Sequence, residues 1–159
     1  MKRGAHEAGG RMKRVVPYGS WNSPIDSGSL VAGARIVSAP RLEGDALYWL
    51  ERRPTEGGRQ VLMRGTLARR GATGIALESP EELLGPDVNV RTRVHEYGGG
   101  EYAVHRDRIY CVDDGRGVVV GGRLGSPMRP LTHAGSRFAD LVVSPDGRWV
   151  YVTAEATHT

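Results

Sequence analysis

Three short apolar runs set the pattern of this chain. Leu47-Tyr48-Trp49-Leu50 follows Asp45-Ala46, Ile109-Tyr110-Cys111-Val112 follows Asp107-Arg108, and Trp149-Val150-Tyr151-Val152 follows Asp146-Gly147-Arg148. All are rich in aromatic and β-branched residues and bounded by turn residues, which predicts strands buried on both faces. Each has a partner run just before it, at Arg35 to Ala39, Glu101 to His105 and Phe138 to Val143. Further strands fit at Gln60 to Met63 and Gly74 to Leu77, then at Val118 to Val120 and Met128 to Thr132. Helical periodicity is nearly missing, so a parallel α/β sheet has no helices to cover those faces. Radially stacked antiparallel sheets cover them without helices, as the blades of a β-propeller do.

The predicted fold is therefore all-β, a partial β-propeller of about two and a half four-stranded blades. Blade 1 falls at about 34–78, a connection at 79–98, blade 2 at about 99–135, and the start of blade 3 at 136–159. Leu47 to Ile109 spans 62 positions and Ile109 to Trp149 spans 40. The shorter interval suits one blade, and the longer one carries an insert. In that insert Ser79-Pro80-Glu81-Glu82-Leu83-Leu84 reads as a short helix, with Ser79 as N-cap, Glu82 as its capping-box partner and Gly85-Pro86 as the stop. Ser144-Pro145-Asp146-Gly147 predicts a type I turn. So few blades do not close a ring, which predicts the front piece of something larger, with open faces prone to self-association.

Composition narrows the function classes. Gly 23 and Pro 9 favour turns, and the 39% apolar and 25% charged content suits a soluble globular chain. A single cysteine, Cys111, leaves no intrachain disulfide and no zinc cluster. Within its apolar run it reads as a small buried hydrophobe. No apolar stretch reaches membrane-spanning length or resembles a signal peptide, so the expected location is cytoplasmic, with no membrane partner. The formal excess of +4 lies wholly in residues 1–14, which hold Lys2, Arg3, Arg11, Lys13 and Arg14 against Glu7. With no basic patch continuing into the body, that tail reads as a disordered leader and nucleic acid is not an expected partner.

Candidate chemistry gathers in one place. Arg91-Thr92-Arg93-Val94-His95-Glu96-Tyr97 precedes Gly98-Gly99-Gly100. The glycines admit backbone angles closed to other residues and let another group come close. The polar side chains beside them, Arg91, Arg93, His95, Glu96 and Tyr97, form the candidate contact with a substrate or a neighbouring domain. A carboxylate there suits a peptide amino terminus, and the arginines suit substrate carboxylates or an interdomain contact. The competing structural reading has Arg93 and Glu96 neutralise each other, with Tyr97 packed between blades.

Elsewhere the chemistry is thin. Ser136 and Ser144 with His133 and Asp140 supply the residue types of a catalytic triad without a supporting motif. Tyr48, Trp49, Tyr110, Trp149 and Tyr151 read as core rather than as a base-stacking ladder. Asp113-Asp114-Gly115 reads as a hairpin turn rather than a calcium site, and no cofactor or metal is expected.

Three stretches resemble bacterial peptidases of the prolyl oligopeptidase family, in their acylaminoacyl-peptidase and dipeptidyl-aminopeptidase-like branch. They are Pro17-Tyr18-Gly19-Ser20-Trp21-Asn22-Ser23-Pro24-Ile25, Asn89 to Gly100, and Arg137-Phe138-Ala139-Asp140-Leu141-Val142-Val143-Ser144-Pro145-Asp146-Gly147. The resemblance implies an N-terminal propeller serving an α/β-hydrolase domain that cleaves peptides with a Ser-Asp-His triad. The chain departs from the whole-enzyme pattern, because it holds no G-x-S-x-G nucleophile elbow. The resemblance therefore implies a non-catalytic part that binds or gates peptide substrate. Its rivals are a stand-alone interaction module and a nonfunctional gene remnant.

Overall fold

A computed structural model describes Pro17 and residues 34–156. The basic tail at 1–14, the rest of the turn-rich stretch at 17–25, and residues 157–159 lie outside the described residues. Ten strands follow in chain order: β1 (Ile36–Glu43), β2 (Ala46–Arg53), β3 (Arg59–Arg70), β4 (Gly74–Glu82), β5 (Tyr102–His105), β6 (Arg108–Asp113), β7 (Val118–Arg123), β8 (Arg129–Pro130), β9 (Ser136–Val143) and β10 (Val150–Ala156). They form a four-stranded sheet β1-β2-β3-β4, a four-stranded sheet β5-β6-β7-β8, and a β9-β10 pair, all antiparallel meanders. The fold is all-β and propeller-like, with no α-helix among the described residues and none able to cross a membrane as a long apolar span.

The alternation of side chains decides which sheet meets which. Tyr48 and Leu50 of β2 and Leu62 of β3 share one core with Ile109 and Cys111 of β6 and Val118 and Val120 of β7. Their neighbours Tyr110, Val112 and Val119 point the other way and pack on Phe138 and Leu141 of β9. The second sheet is thus covered on both faces, which is why its runs are unbroken by polar residues. Each of these side chains contributes about 1.5–3 kcal/mol by leaving water. Trp49, Val61 and Met63 form a smaller cluster on the far face of the first sheet.

The third run departs from its prediction. β10 starts at Val150, and Trp149 and Tyr151 are 62% and 61% exposed instead of buried. Val150 and Val152 face the second sheet's core, whereas nothing among the described residues covers the opposite face. The short helix at Ser79 to Leu84 is also corrected, since β4 runs on as a strand to Glu82. Glu78 pairs with Arg70, Glu81 with Arg64 (3.1 Å), and Glu82 with both Arg53 (2.6 Å) and Arg59 (2.9 Å). These cross-strand ion pairs need an extended backbone and outweigh the local capping pattern. Pro80 is tolerated because β4 is an edge strand.

The chain from Leu83 to Glu101 then crosses from the first sheet to the second along one end of the stack. Leu84, Val88 and Val90 are buried in the shared core. The Val90 amide donates to the Gln60 carbonyl (2.9 Å), and the Gln60 side-chain amide donates back to the Val90 carbonyl (2.9 Å). The Asp114 amide donates to the Asn89 carbonyl (3.0 Å). The connection is therefore a packed element and not a loose loop.

Cys111 is fully buried among these residues. Burial, with the Asp113 carboxylate adding, pushes its thiol up to about 12. The thiol is then protonated and shielded at neutral pH. A thiol reagent at pH 8 is expected to leave the native chain unlabelled and to label it fully in denaturant. Rapid native labelling would mean that the first two sheets do not close on each other.

Candidate recognition site

All five sequence-predicted site residues lie on that connection, at the end of the stack where β6 ends and β9 begins. Thr92 anchors it. Its buried hydroxyl donates to the Phe138 carbonyl and accepts from the Val94 amide (3.3 Å). Val94–Glu96 then forms a tight turn, with the Glu96 amide donating to the Arg93 carbonyl (2.9 Å) and the Gly98 amide to the Val94 carbonyl (3.1 Å). His95 (φ 51) and Glu96 (φ 63) both sit in the left-handed region. Backbone of that kind costs of order 1 kcal/mol or more per residue and is held in place by its surroundings.

The glycine run has a definite use. Gly100 has φ 58, and a Cβ there would lie 2.5 Å from the Asp140 Cα. The carbonyls of Gly99 and Gly100 accept the amides of Asp140 (3.3 Å) and Leu141 (3.1 Å). The group that approaches these glycines is the backbone of β9, so the motif seals the second sheet onto the third.

The side chains find partners that their spacing does not suggest. Arg93 pairs with Asp114 (3.3 Å), and Glu96 pairs with Arg137 (2.5 Å). Mutual neutralisation of Arg93 and Glu96 is thus replaced by two separate pairs, one to the β6–β7 turn and one to β9. Arg137 also donates to the Arg93 carbonyl (3.2 Å). Its hydrogen bond to Glu96 raises its pKa further and holds its charge. The His95 amide donates to Glu155 (3.2 Å), whose other oxygen lies 3.5 Å from the ring Nδ1. Tyr97 is 95% exposed and packs between no blades, because the tight turn swings it outward.

A cleft of about 340 Å3 opens beside this turn. Arg91, Thr92 and Arg93 form one wall, Asp114 and Gly117 of the β6–β7 turn another, and Ser136 and Arg137 of β9 a third. Val112 and Phe138, both buried, supply its apolar floor. The β6–β7 turn is the hairpin expected at Asp113-Asp114-Gly115, with the buried Asp113 carboxylate accepting from the Gly115 amide (3.2 Å). Arg137, Asp114 and Glu155 are the site residues that sequence reasoning missed. Arg137 stood in a recognised stretch, but nothing local marks it as the partner of a glutamate 41 positions earlier.

The remaining candidates stay apart. Ser144 donates to Asp146 (2.6 Å) and accepts from the Trp149 amide (2.9 Å), so its hydroxyl serves the turn. Ser136 opens β9 at the other end of the strand. No hydrogen bond links Ser136, Ser144, His133 and Asp140 side chains among the described residues.

No protein-family description matches this sequence, and no curated protein matches it. A solved structure does match, that of a puromycin-hydrolyzing peptidase from Mycobacterium tuberculosis, with 33% identity and a TM-score of 0.74. The chain resembles part of a peptidase. The match covers 91% of this chain, which in turn spans only 22% of the length of the mycobacterial peptidase.

Proposed function

We propose that this chain is the propeller portion of a serine peptidase of the prolyl oligopeptidase family, in its acylaminoacyl-peptidase-like branch. Its role is to admit and hold peptide substrate for an α/β-hydrolase domain that lies outside these 159 residues. The observation that carries this reading is the 33% identity over 91% of the chain to a peptidase of the same local fold. The recognition turn supports it, since strained left-handed residues held by ion pairs to the next sheet fit a surface built to present side chains. Stacked sheets with a rigid connection at one end suit a filter that passes short or flexible peptides. In this reading Arg91, Arg93, His95, Glu96 and Tyr97 face substrate or the hydrolase domain.

The test is a chimera in which residues 34–156 replace the matching stretch of the mycobacterial peptidase. The chimera is expected to fold and to keep hydrolysing puromycin, at a reduced rate. A chimera that unfolds cooperatively yet has no hydrolytic activity would sink the proposal. A second reading, a stand-alone interaction module that associates with copies of itself, is favoured by the open face bearing Trp149 and Tyr151. The inert chimera is the result expected from that second reading.

A further inference from the structure

The cleft beside the recognition turn has an unbalanced set of charges. Three arginines line it, Arg91, Arg93 and Arg137, against one acidic residue, Asp114. Asp114 is taken by Arg93. Arg137 is taken by Glu96, with Glu155 3.8 Å away and the Arg93 carbonyl as a further acceptor. Arg91 has neither ion pair nor side-chain hydrogen bond among the described residues. Among the three cleft arginines, its charge is the one left without a partner among the described residues.

The surroundings favour an anion over a cation. An incoming ammonium would face the guanidinium groups, while the carboxylates suited to it, Glu96 and Glu155, are held by Arg137 and His95. The buried Val112 and Phe138 floor lowers the local dielectric and strengthens a charge pair formed above it. A guanidinium presents a planar fork that matches a carboxylate with two parallel hydrogen bonds. A volume of about 340 Å3 accommodates the end of a peptide and not a folded domain.

We propose that this cleft is a carboxylate subsite for peptide ligands, with Arg91 as the group that pairs with the anion. The inference rests on the peptidase reading above and names the chemistry its recognition surface selects. It also replaces Glu96, as the receiver of a peptide amino terminus, with Arg91 as the receiver of a negative charge.

The test is titration of the isotopically labelled 159-residue chain, followed by NMR, with three probes. They are acetyl-Ala-Ala-Ala with a free carboxylate, the same peptide as its C-terminal amide, and acetyl-Ala-Asp-Ala amide. The expected result is displacement of the Arg91 Nε and of the Gly117 and Ser136 amide signals, with the carboxylate peptide binding roughly tenfold more tightly than the plain amide. Arg91→Gln should abolish that preference and leave the rest of the spectrum in place, while Arg91→Lys should keep part of it. Tight binding of the Asp peptide amide would assign the subsite to acidic side chains, and its failure to bind would assign it to the peptide terminus. Equal binding of acid and amide, no binding of either, or an unchanged preference in Arg91→Gln would overturn the subsite. An active chimera beside any of those results would leave the peptidase reading standing without it.

Discussion

Gly100→Ala is expected to lower stability by about 3–4 kcal/mol, summing left-handed strain, a backbone clash and lost hydrogen bonds. The left-handed angle at Gly100 accounts for about 1–2 kcal/mol of that, since an L side chain meets its own carbonyl there. The rest comes from β9. An added Cβ would stand 2.5 Å from the Asp140 Cα and 2.7 Å from its amide nitrogen, both backbone atoms that cannot swing aside. The third sheet must retreat, straining the Asp140 and Leu141 amide bonds to Gly99 and Gly100, each worth about 1 kcal/mol net. Gly125→Ala is the matched control, because Gly125 has φ 73 with nothing within 4 Å of its Cβ position. Urea unfolding of the two variants separates strain from close approach. Equal midpoints for both would show that β9 does not sit against Gly100.

Tyr102→Ala is expected to cost about 3–5 kcal/mol and Tyr102→Phe only about 1 kcal/mol. The Tyr102 ring is fully buried in the core between the first two sheets. Its hydroxyl donates to the Ala39 carbonyl (2.6 Å). That carbonyl needs a donor, because β1 and β2 lose register between Ser38 and Arg41, where Ala39 has φ 48. Tyr102 therefore fills the core and satisfies the bulge of a neighbouring sheet, with the Arg41 guanidinium 5.2 Å from its ring centre. Burial pushes the phenol up to about 12 from an ordinary value of 10. The neutral form is thus the one the fold favours, so this stability is complete below pH 10 and drains away as pH rises from there through 12. Tyr102→Phe should flatten that alkaline decline. A phenylalanine variant as unstable as the alanine one would mean that the hydroxyl, and not the ring, carries the effect.

Much of the fold was legible because its information is local. The Leu47 to Leu50 and Ile109 to Val112 runs named the strands that the second sheet's two covered faces require. Ser144-Pro145-Asp146-Gly147 named its turn, closed by the Gly147 amide on the Ser144 carbonyl (2.8 Å). What misled was information held by distant strands. Ser79 with Glu82 spells a capping box, yet the arginines of β2 and β3 claim the glutamates first. Trp149 and Tyr151 carry the composition of a core strand, but burial belongs to whatever lies opposite, and a run cannot report that. The site divides the same way. The Arg91 to Gly100 stretch is contiguous and so stands out in the sequence, whereas the pairs made by Arg93, His95 and Glu96 depend on which hairpins the meander brings alongside.

The second sheet packs against both others, while the first and third share neither a core nor a hydrogen bond among the described residues. Damage therefore has an address. Lesions placed on the two outer sheets meet no common neighbour and should simply add, whereas paired lesions on opposite sides of β6 act through one ribbon of backbone and should not. The middle ribbon is the part of the molecule through which its two ends learn of each other.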